Sequence, residues 1–166
     1  MKRLIMTILA SAALCFAAEA QSDLKKVYDE SIDPMTQIDK AIAKADKDGK
    51  FVICQVGGNW CRWCLMFADF ISKDSEITEL IDKNFEYIHV NFNPRERNDE
   101  AKMKKAETML ARLGNPGRFG YPVFVVPDGD GKVIHIQDSS LLEEGNGYNK
   151  SKVMRFFSNW TPAAVK

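Results

Sequence analysis

The spacing of apolar residues predicts that helices and strands follow one another along most of the chain. Asp33 followed by Pro34 is typical of a helix start. The apolar residues after it recur at helical spacing: Met35, Ile38, Ile42 and Ala45. The apolar run FVICQV at 51–56 lies between polar turn signals and predicts a central strand buried on both faces.

Apolar spacing and turn signals predict further elements along the rest of the chain. They are a packed helix over 65–71, another helix over 75–81 or a continuation of the first after a bend, a strand over 85–92, an amphipathic helix over 99–113, strands over 123–126 and 132–137, and a last helix carrying Val153, Phe156, Phe157 and Trp160. The order α-β-α-α-β-α-β-β-α predicts an α/β fold whose mixed central sheet has helices on both faces.

The first twenty residues are typical of an export signal. A basic start at Lys2 and Arg3 precedes an apolar stretch over 4–18, and the small residues Ala18 and Ala20 lie where a signal peptidase reads. We expect cleavage after residue 20, a flexible lead-in over 21–33 and one domain over 34–166. No integral membrane span is expected after cleavage, and the protein is expected to be periplasmic or extracellular.

Two alternatives for this segment stay open. It is short for a transmembrane helix, yet a retained N-terminal anchor is the simplest alternative. A lipid-modified Cys15 is the other, although the bulky Leu14 before it disfavours such a site.

Composition narrows the possible partners. The 166 residues suit a single domain, and we expect a monomer. The chain carries 23 basic and 23 acidic residues with no long run of one sign. Such a balance gives no electrostatic footprint for nucleic acid.

The segment NWCRWC at 59–64 carries the candidate chemistry. Cys61 and Cys64 fit a metal site, a structural disulfide or a redox dithiol. As a redox pair at a helix start, Cys61 is the nucleophile, because free N–H groups and the helix dipole stabilise its thiolate, and Cys64 is the resolving thiol. Arg62 adds a nearby cation, and Trp60 and Trp63 offer a flat apolar rim for docking a partner.

The other two chemistries fit the sequence less well. A zinc site needs more ligands, and His89 and His135 stand singly in predicted strands. The turn PDGDG lacks the later ligands of a calcium loop. A permanent bridge across so few residues restrains the unfolded chain little. We therefore expect no metal and no organic cofactor. Cys54 is interpreted as a core residue, with a third redox thiol as the alternative.

Two segments together resemble the thioredoxin family. FVICQVGGNWCRWC resembles the active-site strand and motif, and GYPVFVVPDGDGKVI resembles the strand and hairpin that face it. The resemblance covers roughly residues 34–160 and implies a thioredoxin fold with an extra N-terminal helix. It also implies that Cys61 attacks, that Cys64 is buried, and that the Tyr121–Pro122 bond is cis, with Tyr121 backbone groups turned towards the incoming chain.

The chain departs from the thioredoxin pattern at three places. Gln55 occupies the position of a buried acid, Arg62 and Trp63 replace Gly-Pro between the cysteines, and Val123 follows the expected cis-proline. An obvious substitute acid is lacking, because Glu143 and Glu144 lie in a loop that the sequence does not place.

These features predict an exported thiol–disulfide oxidoreductase that reduces or exchanges disulfides in envelope or secreted proteins. Its partners would be protein thiols and disulfides and an unidentified redox donor. One alternative is a non-catalytic binding module that holds a protein partner or a soft metal such as Cu(I). A thiol peroxidase is a further alternative. Such enzymes commonly use a Thr-x-x-Cys motif with a nearby Arg, whereas Asn59 and Trp60 precede Cys61 here.

Overall fold

The computed structural model describes residues 24–96 and 98–165. The expected export signal and Cys15 lie outside the described residues. The helices are α1 (Pro34–Asp48), α2 (Arg62–Lys73), α3 (Ser75–Asn84), α4 (Glu100–Arg112), α5 (Lys150–Asn159) and α6 (Pro162–Val165). The strands are β1 (Phe51–Gly57), β2 (Phe85–Asn91), β3 (Val123–Pro127), β4 (Val133–Asp138), β5 (Glu143–Glu144) and β6 (Gly147–Tyr148).

The predicted order of elements is confirmed, with two additions near the C-terminus. The EEGNGYN segment, predicted as a loop, forms the small β5–β6 hairpin, and α6 follows the last predicted helix. Within the described ranges, no helix has the length and apolar character needed to cross a membrane.

The main sheet is mixed, as expected, with strand order β2-β1-β3-β4. Strand β1 pairs in parallel with β2 and antiparallel with β3, and β3 pairs antiparallel with β4. Residues 52–57 of β1 are all buried because this strand has a neighbour on each side and helices on each face. The end of β1 is therefore a rigid platform for the segment that follows it.

Two apolar layers cover the sheet. The layer on one face contains Ile38, Ala41 and Ala45 of α1 with Met109 and Leu113 from α4 and its end. The layer on the other face contains Phe67 and Ile71 of α2, Ile77 and Ile81 of α3, and Phe156 and Phe157 of α5. Alternate residues of β1 face opposite layers, so Cys54 lies in the first layer and Ile53 in the second.

Cys54 is a buried core residue, as the sequence predicted. It is fully buried and unpaired, and burial raises the pKa of its thiol to about 12. A thiol in this environment stays protonated and inert at neutral pH.

Residues 24–33 differ from the flexible lead-in that the sequence predicted. Tyr28 is 4% exposed and packs in one buried cluster with Cys61, Cys64 and Leu65. Its backbone N–H donates to Asn59 Oδ1 at 3.2 Å, and Asn59 Nδ2 donates back to the Tyr28 carbonyl at 2.8 Å. The buried Tyr28 side chain and this pair of hydrogen bonds hold the segment against the domain. The polar composition of the segment gave no sign of this contact.

His89 lies on β2 in an apolar setting. Its ring makes edge contacts with Tyr28 and Tyr87 at centroid distances of 5.3 and 5.4 Å. Its buried Nε2 has no hydrogen-bond partner among the described residues. Burial lowers the pKa of His89 to about 4, because the charged imidazolium would lose its hydration.

This burial predicts a loss of stability in mild acid. The unfolded histidine binds a proton near its ordinary pKa, whereas the folded one stays neutral until about pH 4. We expect the His89 contribution to cost about 2 kcal/mol of unfolding free energy between about pH 7 and about pH 5. Urea unfolding of the wild type and His89→Gln at both pH values measures it.

The variant should show a shallower loss than the wild type, and His135→Gln is the matched control because it leaves His89 in place. Equal pH slopes for the wild type and His89→Gln would contradict this account of His89.

Candidate active site

The two cysteines of the NWCRWC segment form a disulfide at the start of α2. The sulfurs are 2.11 Å apart and the two Cα atoms 5.2 Å apart. Cys61 is the N-cap of α2, and its sulfur accepts a hydrogen bond from the Cys64 backbone N–H at 3.2 Å. A sulfur in this position lies where free N–H groups and the helix dipole stabilise negative charge.

The two sulfur-bearing residues differ in access to solvent. Cys61 is 6% exposed, whereas Cys64 is fully buried beneath it. An incoming group can therefore approach Cys61 more readily than Cys64. This asymmetry is the one that an attacking and a resolving cysteine require.

Trp60 and Tyr121, on loops beside the disulfide, pack against the buried cluster that contains both cysteines, Tyr28 and Leu65. The Tyr121–Pro122 peptide bond is cis, the geometry that the family resemblance implied, and Pro122 directly precedes β3. Tyr121 stacks on Phe92 at a centroid distance of 5.1 Å and meets the edge of Trp60 at 5.7 Å. Trp60 Nε1 donates to the Phe92 carbonyl at 2.7 Å.

The second tryptophan is held by the small hairpin. Trp63 makes an edge contact with Tyr148 at 5.5 Å, and the Tyr148 hydroxyl donates to the Trp63 carbonyl at 3.1 Å. Arg62 is exposed beside a groove that Met66 of α2 and Tyr148 also line. The structure thus brings Trp60, Trp63 and Tyr121 around the cysteines and leaves the Arg62 side chain at the surface.

Gln55 occupies the buried position where the thioredoxin pattern has an acid, and it is the centre of a neutral hydrogen-bond network. Its Nε2 donates to the Cys64 carbonyl at 2.9 Å and to the Tyr28 hydroxyl at 2.7 Å. Its Oε1 accepts from the Tyr87 hydroxyl at 2.5 Å. Burial raises the pKa of both tyrosines above the ordinary value, so both phenols stay protonated.

Neither carboxylate considered as a substitute acid joins this network. Glu143 lies in the β5–β6 hairpin, where its carbonyl accepts from Lys152 at 2.7 Å. Glu144 is exposed and accepts from Asn149 at 2.7 Å. In the described part of the chain, neither carboxylate is hydrogen-bonded to Gln55 or to either cysteine.

Tyr28 is the site residue that sequence reasoning missed. It lies outside the cysteine motif in a polar segment, and only the apolar pair Val27 and Tyr28 within LKKVYDE hints at a buried contact. Tyr28 and Cys64 are far apart in sequence, so their packing in one cluster could not be predicted from local pattern.

In the described part of the chain, neither histidine belongs to a metal-binding cluster. His89 Nε2 is unpartnered, and His135 Nε2 lies 3.1 Å from Gln137 Oε1 while its ring stacks on Trp160 at 4.1 Å. Among residues 24–96 and 98–165, no group of three or more His, Cys, Asp or Glu side chains is arranged to hold a metal ion.

The fold and the cysteine pair together define a thioredoxin-like disulfide oxidoreductase. The family model described as "Thioredox_DsbH: Protein of unknown function, DUF255" matches residues 15–151. The chain therefore belongs to this DsbH-like thioredoxin family.

Solved structures that are similar to the chain include the following two. The disulphide isomerase from Xylella fastidiosa Temecula1 is 29% identical with a TM-score of 0.65, over 82% of this chain and 97% of that one. A DsbH oxidoreductase is 21% identical with a TM-score of 0.51, over 72% of this chain and 78% of that one, and shows the shared fold alone. No curated protein sequence matches the chain.

Two glycines at the end of β1 make room for the site. A Cβ on Gly57 would lie 2.4 Å from Cys64 Sγ and 2.9 Å from the Tyr28 hydroxyl oxygen. A Cβ on Gly58 would lie 2.5 Å from Trp60 Nε1 and 3.0 Å from the Phe92 carbonyl oxygen. The disulfide and the Trp60 side chain therefore both depend on positions without side chains.

Gly57→Ala tests this close approach. The added methyl group occupies the space of the Cys64 sulfur, so we expect the oxidised chain to lose about 1–3 kcal/mol of unfolding free energy, as overpacked cores do. Urea unfolding of the oxidised protein measures the loss.

Gly147→Ala is the matched control, since a Cβ there meets no heavy atom within 4 Å. Its unfolding free energy should stay within about 0.5 kcal/mol of the wild type. An equally small effect of Gly57→Ala would show that the packing at Cys64 is looser than described.

Proposed function

We propose that this protein is an exported thiol–disulfide oxidoreductase that reduces or exchanges disulfides in envelope or secreted proteins. The observation that carries the proposal is the Cys61–Cys64 pair at the N-terminus of α2, with Cys61 nearer the surface and Cys64 buried. Membership of a DsbH-like family and the likeness to a protein described as a disulphide isomerase support it.

The reaction runs as two consecutive exchanges. The Cys61 thiolate attacks one sulfur of a substrate disulfide, a mixed disulfide forms, and the first substrate sulfur leaves as a thiolate. The Cys64 thiolate then attacks Cys61 Sγ, which forms the 61–64 disulfide and releases the second substrate thiolate. The substrate gains two electrons and two protons, and the protein dithiol loses them.

The cycle needs a partner to restore the dithiol. A dithiol reductant would reduce the 61–64 disulfide by the same chemistry in reverse order. An oxidising cycle would instead transfer the disulfide to a substrate dithiol.

Residues around the pair supply the docking surface in this proposal. Trp60, Trp63 and Tyr121 form an aromatic surface that contacts the substrate residues next to the substrate cysteine. Backbone groups of Tyr121 beside Pro122 pair with that segment as a short added strand. The exposed Arg62 keeps a positive charge close to Cys61 and favours its thiolate.

The proposed location is the periplasm or the cell exterior. The basic and apolar start of the chain supports export, and a disulfide exchanger acts where substrate disulfides persist.

Insulin reduction by dithiothreitol tests the activity. The wild type should accelerate the reaction, and Cys61→Ala should return it to the uncatalysed rate because the attacking sulfur is lost. Cys64→Ala should accumulate a mixed disulfide with insulin, which non-reducing gels detect.

Cys54→Ala is the matched control, since this cysteine is fully buried in the core, and it should retain the wild-type rate. A wild type that leaves the rate unchanged but binds Cu(I) through Cys61 and Cys64 would contradict the proposal and favour a holding role.

A further inference from the structure

The orientation of the Gln55 side chain is fixed by its neighbours. The Cys64 carbonyl can only accept a hydrogen bond, so the atom that faces it at 2.9 Å is the amide nitrogen of Gln55. The same nitrogen donates its other hydrogen to the Tyr28 hydroxyl oxygen at 2.7 Å. The Tyr87 hydroxyl, which donates to Gln55 Oε1, agrees with this orientation.

The hydroxyl hydrogen of Tyr28 is consequently left free. Tyr28 accepts from Gln55, and its own hydrogen has no oxygen or nitrogen acceptor among the residues that the structure describes. Tyr28 is 4% exposed, so bulk water does not readily supply one. A buried donor without an acceptor is costly unless another state of the protein provides a partner.

The Cys64 sulfur lies in the same buried cluster as Tyr28. One point in space, the Cβ position of Gly57, lies 2.4 Å from Cys64 Sγ and 2.9 Å from the Tyr28 hydroxyl oxygen. The sulfur and the hydroxyl can therefore be separated by no more than the sum of these two distances. A thiolate is a much stronger acceptor than a disulfide sulfur, so this hydroxyl gains a suitable acceptor nearby when Cys64 ionises.

We propose that the Tyr28 hydroxyl donates a hydrogen bond to the Cys64 thiolate and thereby favours the resolving step, in place of a buried acid. This inference rests on the proposed exchange activity. In the mixed disulfide, the proton of Cys64 passes to the substrate thiolate that has already left, directly or through water. Tyr28 keeps its own proton throughout, and Cys64 then attacks Cys61 Sγ and releases the second substrate thiolate.

The surroundings of Tyr28 keep it in the donor form. Burial raises the pKa of its hydroxyl, so the phenol remains protonated across the working pH range. The other titratable groups that face it are Tyr87 and His89 on β2 and Tyr148 on β6, and the cause of each resolved pKa shift favours the neutral form. Protonated Tyr28 is therefore the neutral counterpart of the missing acid, although it cannot act as a base.

Asn59 fixes where the phenol points. Its side chain makes both hydrogen bonds to the Tyr28 backbone, and its Nδ2 also lies 3.1 Å from Glu30 Oε1. Because Asn59 lies two residues before Cys61, this contact links the position of Tyr28 directly to the active-site loop.

The ionisation of Cys64 tests the proposal without any substrate. In a Cys61→Ala background, the rate of iodoacetamide alkylation is followed against pH on the peptide that carries Cys64, so that Cys15 and Cys54 do not contribute. Adding Tyr28→Phe should raise the midpoint of this profile by about one pH unit, because a hydrogen bond to the charged form is lost. Tyr148→Phe removes a hydroxyl that bonds the Trp63 carbonyl and should leave the midpoint unchanged.

Asn59→Ala provides a second variant that retains the Tyr28 hydroxyl. It should shift the midpoint in the same direction, and combining it with Tyr28→Phe should add little, since both act through one hydrogen bond. This variant decides the matter if Tyr28→Phe does not fold.

An unchanged midpoint in a folded Tyr28→Phe protein, or in Asn59→Ala if the first does not fold, would overturn the inference. So would an equal shift with Tyr148→Phe. These results concern Cys64 alone, whereas failure of the proposed function would appear as a wild type that does not accelerate insulin reduction.

Discussion

The site depends on the short connection between the end of β1 and the start of α2. Strand β1 is buried on both faces and ends at Gly57, where the missing Cβ leaves room for the Cys64 sulfur. The chain then turns through Gly58 and begins α2 with Cys61 as its N-cap. The sheet thus holds the start of the helix in place, and the helix leaves Cys61 slightly exposed and Cys64 fully buried.

A neutral polar network supports this geometry at the position where the thioredoxin pattern has a buried acid. The Gln55 side chain is hydrogen-bonded to the Cys64 carbonyl and to the hydroxyls of Tyr28 and Tyr87. Its buried amide groups therefore all have partners without any ionised group. The network draws one member from the segment before α1, which makes that segment part of the site. A neutral amide at Gln55 cannot take up a proton, so in the proposed reaction the proton of Cys64 goes to another acceptor.

Much of the fold and the core of the site could be predicted from local pattern. The apolar run of β1, the helical spacing of α1 and α5 and the W-C-x-x-C motif each signal their structure within a few residues. The β5–β6 hairpin and Tyr28 could not be predicted in this way. The hairpin strands are too short to show alternation, and Tyr28 gains its place only through contacts with Asn59 and Gln55, far along the chain.

The reduction potential of the Cys61–Cys64 pair tests the central claim most directly. Equilibration with defined ratios of reduced and oxidised dithiothreitol or glutathione, read by thiol trapping, measures it. We expect a reversible two-electron transition between about −270 mV and about −120 mV, the range of thioredoxin-fold exchangers. A pair that stays oxidised below about −300 mV would be a structural disulfide and would contradict the account.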